Sequence, residues 1–278
     1  MKYPKLLLLY LLPKNLLSYI VGVFMSLKLP QFILKPIIKT FCRAYRVNIE
    51  EAQPAKYRSF NEFFTRALRA ECRPIDQHVE NIVSPVDGII GCGGEITDET
   101  LIQAKGRNYS LGAFVANEEY RNLFLGGTYL TIYLSPSHYH RIHTPIAGTV
   151  ESLNYIPGKL YPVNPFAINN IDHIFSKNER LISLMDSPTS GKVAVVKVGA
   201  TNVGKIKVVY DTITSNNFWR KGVYKTYENV HLEKCEELGR FELGSTVVLL
   251  FQKGKVKLTC TEPDSSVRLG EKIAEICK

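Results

Sequence analysis

The pattern of apolar and polar positions divides the chain near residue 80. Before that point, apolar clusters are interrupted by lysines and prolines, and Ser59 with Glu62 three residues later predicts the start of a helix. An apolar stripe carries this helix to Leu68, and Pro74 is expected to end the helical segment. After Ile82, short apolar runs alternate with clusters of Gly, Pro, Asn and Ser, a pattern typical of β-strands.

Short apolar runs predict the strands of the second part, where "EEYRNLFLGG" also predicts a short helix and "QKGKV" a tight hairpin between the last two strands. The sequence therefore predicts an α+β protein, with a helical N-terminal layer in residues 1–80 and a β-rich domain of sandwich or barrel type in residues 81–278. The predicted strands are Ile89–Ile90, Tyr129–Leu134, Val193–Val198, Ile206–Tyr210, Val247–Phe251 and Val256–Leu258.

Composition and charge narrow the range of partners. The 278 residues are 45% hydrophobic and 22% charged, which is ordinary for a globular protein and excludes wholesale disorder. The net charge of +9 indicates an anionic partner. Positive charge is concentrated at the front, where the segment from Met1 to Asn48 contains eight Lys or Arg residues and no Asp or Glu.

The basic N-terminal segment is also strongly apolar, which favours a membrane surface as the partner. Leu7 to Leu12 is too short to cross a bilayer, and Pro13 and Lys14 interrupt it. Short amphipathic helices can instead lie among lipid head groups with their lysines facing anionic lipid. The alternative is a helical layer that covers the protein's own core. Nucleic acid is not expected, because the basic residues alternate with aliphatic clusters rather than forming a polar or aromatic binding face.

Cysteine and histidine spacing does not predict a metal site. The six cysteines contain no C-x-x-C pair and are predicted to be reduced thiols of a cytosolic protein. The segment "LSPSHYHRIH" places His138, His140 and His143 close together. However, no carboxylate cluster accompanies them, and Arg141 would repel a cation. We therefore predict no bound metal.

Candidate chemistry lies in three segments that are far apart in sequence. Gly244 and Ser245 stand directly before the apolar run "VVLLF", Asp87 lies in "SPVDG", and His140 and His143 follow a predicted strand. Two of the segments also have a simpler interpretation, a β-bulge or turn for the Gly-Ser pair and turn chemistry for Asp-Gly. Together they supply a serine nucleophile, a histidine base and an orienting carboxylate, with either histidine as the base.

The Gly-Ser pair indicates what the serine could attack. Ser245 can attack the carbonyl of Gly244, because glycine has no Cβ to obstruct the approach and tolerates a strained backbone. An N-to-O acyl shift gives an ester, β-elimination then cuts the chain, and hydrolysis of the resulting dehydroalanine leaves a pyruvoyl group at the new N-terminus. Such a carbonyl can form a Schiff base with an amine and act as an electron sink.

Four segments, "SPVDG", "LSPSHYHRIHTPIAG", "VNPFAINNIDHIFSKNERLI" and "ELGST", occur in the order and approximate spacing of the phosphatidylserine decarboxylases. The chain resembles that family from about Phe60 to its C-terminus. The resemblance implies decarboxylation of phosphatidylserine to phosphatidylethanolamine and CO2 through a Schiff base with a pyruvoyl cofactor made from Ser245. It also implies autocatalytic cleavage between Gly244 and Ser245 into a large chain, 1–244, and a small chain, 245–278, that stay associated.

The resemblance further implies roles for the remaining candidate residues. Asp87 and His143 would complete the charge relay for self-cleavage, and His140 would lie near the substrate carboxyl group or the Schiff base. Many relatives carry an acidic residue where this chain has His138. A substrate that stays in an anionic bilayer implies a peripheral enzyme on the cytoplasmic side of the cell membrane, and it leaves a homodimer open.

Three other functions share part of this pattern. A pyruvoyl-dependent decarboxylase of a soluble amino acid would cleave itself but would not need the basic, apolar front. A serine hydrolase would keep one intact chain. A non-catalytic lipid-binding β-domain would need neither cleavage nor Ser245. The mass of the purified chain or chains separates the self-cleaving pyruvoyl-dependent decarboxylases from the other two alternatives, which need no cleavage.

Overall fold

The structure is a computed structural model that describes residues 13–104, 107–201, 205–216, 221–242 and 246–277. Three of the helices precede the first strand, as the sequence predicts, whereas the apolar run Leu7 to Leu12 lies outside the described residues. The helices are α1 (Lys14–Ser26), α2 (Gln31–Tyr45), α3 (Phe60–Phe64), α4 (Leu111–Val115), α5 (Glu118–Phe124), α6 (Pro165–Ile168) and α7 (Ile174–Lys177).

Strands make up most of the regular structure, so the predicted α+β class is confirmed, as is the short helix α5. The strands are β1 (Asn81–Val83), β2 (Gly88–Glu95), β3 (Thr100–Ala104), β4 (Arg107–Ser110), β5 (Thr128–Tyr133), β6 (Arg141–His143), β7 (Gly148–Ile156), β8 (Arg180–Ser187), β9 (Gly191–Val198), β10 (Ile206–Val208), β11 (Val223–Thr226), β12 (His231–Leu232), β13 (Glu237–Phe241), β14 (Thr246–Phe251), β15 (Val256–Leu258), β16 (Ser266–Val267) and β17 (Lys272–Ile276).

In the part of the chain that the structure describes, the main sheet contains nine strands. Eight of them run in the order β11-β7-β8-β9-β14-β5-β2-β16, and β12 also pairs with β7. All six residues of β14 are buried, and the strand pairs antiparallel along its whole length with β5 on one side and β9 on the other. A strand that is covered on both faces favours a continuous apolar run over alternation, which explains the run "VVLLF".

The predicted hairpin between the last two apolar runs is wrong. A turn is present, since the N–H of Lys255 donates to the carbonyl of Gln252 at 3.3 Å and Gly254 has a φ of +69°. However, β15 pairs with β17 in a small separate sheet that also contains β1. Both edges of β14 are already occupied by β5 and β9, so β15 has no free edge of β14 to pair with.

The helix predicted from Ser59 is present but shorter than expected. The Ser59 hydroxyl accepts the N–H of Glu62 at 3.2 Å, which confirms the predicted N-cap. The helix, α3, ends at Phe64, because the chain beyond it pairs with an earlier segment instead of continuing the helix. In that pairing the N–H of Gln53 donates to the carbonyl of Ala67 at 2.9 Å.

The N-terminal helices form a second, smaller apolar cluster, against which Val21 and Met25 of α1 pack. Their outer surface is also apolar, with Phe24 65% exposed and Phe32 78% exposed. Among the described helices, none has the length and apolar character needed to cross a membrane. The layer therefore covers a core of its own and still presents an apolar face. The buried members of that core are Leu34, Val47, Phe60, Phe63 and Phe64.

Candidate active site

The ends of four neighbouring strands lie side by side along one edge of the main sheet, the edge formed by the strand ends and not by an outer strand. Thr246, the first residue of β14, pairs with Tyr133 at the end of β5 and with Val198 at the end of β9. Tyr133 in turn pairs with Ile89 of β2, two residues after Asp87. Since neighbouring strands lie about 4.8 Å apart, this register brings the Asp87 turn near the beginning of β14.

The predicted cleavage site, Gly244 and Ser245, lies outside the described residues. On the N-terminal side of this site, β13 ends at Phe241 and the described chain ends one residue later. The described chain resumes at Thr246, the first residue of β14. The N–H of Phe241 donates to the carbonyl of His140 at 2.9 Å, so one predicted histidine lies beside the chain that leads into the site. The hydroxyl of Thr246 is buried and has no hydrogen-bond partner in the part of the chain that the structure describes.

A salt bridge fixes the carboxylate of Asp87 in a buried position. Arg73 donates from Nε to Oδ1 at 2.8 Å and from Nη2 to Oδ2 at 2.5 Å. The backbone N–H of Leu269 donates to Oδ1 at 2.9 Å. Arg73 also binds Glu51, at 2.8 Å. One arginine and one backbone amide therefore hold Asp87 independently of any histidine.

His143 ends β6 and is held by its backbone and by both ring nitrogens. Its N–H donates to the carbonyl of Pro85 at 2.8 Å, which brings it beside the Asp87 turn. Ring atom Nδ1 lies 2.6 Å from the carbonyl oxygen of Cys235, and Nε2 lies 3.1 Å from the hydroxyl of Tyr139. Because a carbonyl only accepts, Nδ1 carries the proton and Nε2 is the basic atom. Burial lowers the pKa of His143, and the hydrogen bond to the Cys235 carbonyl opposes this shift.

Asp87 and His143 lie close together without a hydrogen bond between them. The carbonyl of Cys235 occupies the position at Nδ1 that an orienting carboxylate has in a catalytic triad. Cys235 has a φ of +62°, an uncommon conformation for a residue with a side chain. Asp87 acts on the ring through its charge, which favours the protonated form and so works against the lowering of the pKa of His143. Its part in a relay stays a prediction.

His140 is fully buried, and its ring packs against Phe64 with 4.0 Å between the ring centroids. Neither ring nitrogen has a hydrogen bond of good geometry in the described ranges, although the backbone of His138 lies close enough to oppose the lowering of the pKa. Burial, followed by the charge of Arg66, lowers the pKa of His140 to about 3, so the ring is neutral at physiological pH. An unsatisfied buried polar group costs about 1–3 kcal/mol of stability. The described residues therefore leave the hydrogen-bonding capacity of the His140 ring largely unused.

The three clustered histidines have separate surroundings. Nδ1 of His138 accepts the N–H of Ser135 at 3.1 Å, and burial lowers the pKa of His138. His143 contacts a carbonyl and a hydroxyl, and His140 contacts a phenyl ring. Within the residues that the structure describes, no group of three or more His, Cys, Asp or Glu side chains could hold a metal ion.

An apolar pocket of about 560 Å³ opens beside this edge of the sheet. Met25 and Phe64 line it from the N-terminal helices, and Tyr133 lines it from the end of β5. Tyr133 pairs with Thr246, and Phe64 packs against His140, so the pocket adjoins both the start of β14 and the buried histidine.

Several groups that hold the site are not predicted from the sequence. Tyr139 lies inside "LSPSHYHRIH" between His138 and His140, so its position in the sequence could have indicated that it belongs to the site. Cys235 contributes a backbone carbonyl, which no side-chain pattern can indicate. Arg73 and Arg66 lie in the segment before β1, and only the tertiary structure brings them to Asp87 and His140.

The fold and the candidate site define an α+β enzyme in which one edge of the main sheet combines a buried carboxylate, the neutral imidazole of His140 and an apolar pocket near the first residue of a central strand. The family model for phosphatidylserine decarboxylase matches residues 60–275. The chain belongs to the phosphatidylserine decarboxylase family.

Similarity to individual relatives extends over nearly the whole chain. The chain is 41% identical over 272 residues to the phosphatidylserine decarboxylase proenzyme of Myxococcus xanthus, an alignment that covers 97% of each protein. It is 43% identical over 284 residues to the Escherichia coli proenzyme, covering 97% of this chain and 87% of the relative. The Brevibacillus brevis proenzyme is 39% identical over 273 residues, covering 96% of each.

Proposed function

We propose that this protein is a phosphatidylserine decarboxylase that makes its own pyruvoyl cofactor by cutting the chain between Gly244 and Ser245. The product is phosphatidylethanolamine, and CO2 is released. Cleavage gives a large chain, 1–244, and a small chain, 245–278, which remain associated.

One observation carries this proposal. In a chain that belongs to the family over residues 60–275, Asp87, His140 and His143 lie around the edge of the sheet where β14 begins, directly after the proposed cleavage site. Asp87 lies more than fifty positions before the two histidines, and β14 begins more than one hundred positions after them. Their convergence supports a single site for self-cleavage and decarboxylation.

His143 is the proposed base for self-cleavage. Its Nε2 is unprotonated and can take the hydroxyl proton of Ser245, while the Cys235 carbonyl holds Nδ1–H. The serine oxygen then bonds to the carbonyl carbon of Gly244, and the C–N bond is exchanged for an ester. β-Elimination removes the α-proton of residue 245 and breaks its Cβ–O bond, which releases the Gly244 carboxylate. Water then adds to the imine tautomer of the dehydroalanine and displaces ammonia. The negative charge of Asp87 stabilises the imidazolium that forms during the first step.

The residues around the start of β14 fit a pyruvoyl group at Ser245. The Thr246 hydroxyl and both ring nitrogens of His140 are buried and make no hydrogen bond of good geometry to the described residues, so they can contact a ligand. The pyruvoyl group supplies a carbonyl that takes up the substrate amine and accepts the electron pair left when CO2 departs. His140 is neutral and packs against Phe64, so it contributes a polar contact without a charge. Weakly polar surroundings favour a step in which a carboxylate loses its charge.

The apolar pocket is the proposed site for the glycerol backbone and the first part of the acyl chains. Its volume, about 560 Å³, is within the range of ligand pockets. Met25 and Phe41 of the N-terminal helices form one wall, and Ala200 beside the end of β9 forms another. A lipid can therefore enter from the helical layer and still reach the sheet edge.

We also propose that residues 1–80 form a membrane-associated layer on the cytoplasmic side of the cell membrane, with residues 81–278 as the decarboxylase domain. The exposed phenyl rings of Phe24 and Phe32 support insertion among lipid head groups, and the exposed Lys28, Lys35 and Lys39 support attraction to anionic lipid. The six free thiols fit a cytoplasmic location.

The proposal predicts that the purified protein consists of two chains with a pyruvoyl group at the start of the smaller one. Ser245→Ala should give a single uncut chain without decarboxylase activity, because the attacking oxygen and the precursor of the cofactor are lost together. Denaturing mass spectrometry and release of labelled CO2 from phosphatidylserine measure the two effects. Recovery of two chains from Ser245→Ala, or an intact active wild-type chain that reacts with a phosphonate probe, would contradict the proposal.

A further inference from the structure

A second pocket, which we call the basic pocket, lies between the segment that follows α2 and the strands β6 and β13. Its volume is about 330 Å³, and Lys56, Arg66, Arg141 and Arg240 line it. Glu62 is the carboxylate in this lining, and Arg58 already binds it at 2.8 Å. Arg141 pairs with the carboxylate of Glu237 at 2.8 Å, and Arg240 lies 3.9 Å from the same carboxylate. Lys56 and Arg66 are therefore the cations of this lining that form no salt bridge with a described carboxylate.

Arg66 is the buried cation of this lining, with only 4% of it exposed. Its Nε and Nη1 have no hydrogen-bond partner in the described segments, and its guanidinium carbon lies 5.2 Å from the centre of the Phe63 ring. The neighbouring carboxylates of Asp87 and Glu51 act on it through charge, but Arg73 takes their hydrogen bonds. Because unpaired buried donors are destabilising, packing alone does not explain this arginine.

The basic pocket adjoins the candidate active site. Arg66 comes two positions after Phe64, and the ring of Phe64 packs against His140. The charge of Arg66 adds to the effect of burial in lowering the pKa of His140. Arg141 donates from Nε to the carbonyl of Thr65 at 2.9 Å and stands between His140 and His143 in sequence. A ligand in the basic pocket would therefore lie beside the residues proposed to act on the substrate.

We propose that the basic pocket binds the phosphate of a phospholipid, with Arg66 as the anchoring residue and Lys56 and Arg240 at the rim. A guanidinium offers a planar fork of donors that suits phosphate oxygens. The identity of the lipid rests on the proposed function, whereas the phosphate chemistry rests on the pocket itself.

Phosphate is favoured over the substrate carboxylate for an energetic reason. A carboxylate loses its charge when CO2 departs, so an arginine bound to it would stabilise the ground state more than the transition state. A phosphodiester keeps its charge throughout the reaction. Binding energy from Arg66 on the phosphate can therefore position the substrate without raising the barrier.

The direct test is calorimetric titration of the purified wild-type protein with glycerophosphoglycerol, a phosphodiester that has neither a carboxylate nor an amine to react with a pyruvoyl group. Arg66→Met should bind about 10- to 100-fold more weakly, because charge-assisted hydrogen bonds to phosphate are lost. Arg66→Lys should show a smaller loss, since it keeps the charge but not the fork. Arg43→Met on α2 removes the same charge outside the pocket and should bind as the wild type does.

Stability separates a binding role from a structural one. Arg66→Met replaces a buried cation with unpaired donors by an apolar side chain of similar length, so its unfolding midpoint should stay equal or rise. Lys56→Met and Arg240→Met change more exposed residues, and each should weaken phosphodiester binding while leaving folding intact. A lower midpoint for Arg66→Met, together with unchanged binding in both rim variants, would overturn the proposal.

Inhibition distinguishes the two sources of the phosphate. If the basic pocket holds the substrate's own phosphate, glycerophosphoglycerol should inhibit decarboxylation competitively, and Arg66→Met should raise KM more than it lowers kcat. If it holds a second anionic phospholipid, the same compound should bind without competing. Absence of binding to the wild type would refute the basic pocket as a phosphate site. Because this measurement needs no turnover, it is independent of whether the protein is a decarboxylase.

Discussion

Arg73 connects two carboxylates of unequal exposure at the candidate active site. Asp87 is buried with its side chain 8% exposed, whereas Glu51 is 26% exposed. Removing one partner of a buried ion pair leaves a charge without compensation, which is more costly than opening an exposed pair. The arrangement allows the contribution of the Asp87 carboxylate to be tested separately from that of the arginine.

We predict that Asp87→Asn accumulates uncut precursor. The variant loses the negative charge that stabilises a protonated His143, and a positioned acid–base group typically contributes about 10²–10⁴ in rate. The time course of cleavage on a denaturing gel measures the effect. Glu51→Gln is the matched control, because it changes the other partner of Arg73, and it should cleave nearly normally. Equal blocks in both variants would assign the effect to the placement of Arg73.

His140 predicts a pH effect that can be measured without turnover. Its pKa is about 3 in the folded protein, against 6.5 for an ordinary histidine. Between those values the unfolded chain binds a proton that the folded chain does not, so stability is complete above about pH 6.5 and falls as the pH falls. The contribution of one such group is about 1.4 kcal/mol for each pH unit.

We therefore expect His140→Phe, made in the uncut Ser245→Ala background, to depend less on pH than its parent. Denaturant unfolding of the variant and its parent at pH 7 and pH 4.5 measures how steeply the free energy of unfolding of each protein changes with pH. The phenyl ring can still pack against Phe64, so folding should be retained. In the otherwise wild-type chain, His140→Phe should cleave but decarboxylate poorly. Identical pH slopes with and without His140 would show that the imidazole is not held neutral by burial.

The helices α1 and α2 have two apolar sides with different roles. Val21 and Met25 of α1 face the N-terminal core, whereas Phe24 and Phe32 are largely exposed. Deleting the first helix would therefore remove core contacts and a wall of the apolar pocket along with the outer face. Substitutions confined to the outer face test membrane binding without that complication.

We predict that Phe24→Ser combined with Phe32→Ser reduces flotation with anionic vesicles while leaving self-cleavage unchanged. Each phenyl side chain that enters the apolar layer contributes about 1.5–3 kcal/mol. The control combines Ile102→Ser and Val209→Ser, which remove exposed apolar residues outside the N-terminal layer. Added salt should weaken flotation of every variant through the lysines but should not abolish it in the wild type. Equal flotation of the test and control variants would move the membrane contact elsewhere.

The whole molecule depends on strands from both sides of the proposed cut. β14, which follows the cut, lies between β5 and β9 in the centre of the main sheet. In addition, β16 pairs with β2 and β17 pairs with β1, so the small chain contributes to two sheets. Its removal would expose the buried side chains of β14 and leave β5, β9, β2 and β1 each without a partner strand on one side.

We expect the two chains to remain one particle after cleavage. Native mass spectrometry should give a single mass close to that of the uncut chain, and denaturing conditions should separate it into two. The Ser245→Ala precursor provides the reference mass for an uncut chain. Separation of the two chains under native conditions would contradict the central position of β14 in the mature protein.

Local signals in the sequence account for much of the fold. The run Val247 to Phe251 is a buried strand because its residues suit a position covered on both faces. Ser59 begins α3 because the hydroxyl of an N-cap residue needs to bond only to the backbone of the helical turn that follows it. The end of α3 and the partner of β15 were not predictable in the same way. They depend on the backbone of Gln53 and on the occupied edges of β14, which are distant in sequence.

The sequence by itself determined the chemistry available to this protein, since the Gly244–Ser245 pair, Asp87 and the clustered histidines are side-chain types in a recognisable order. Only the tertiary structure decided how these groups are held. In the fold, Arg73 forms a salt bridge with Asp87, and the backbone carbonyl of Cys235 accepts a hydrogen bond from Nδ1 of His143. The physical reason is that hydrogen bonds and burial are set by distance in space, and a backbone carbonyl is present at every residue and so carries no sequence signal.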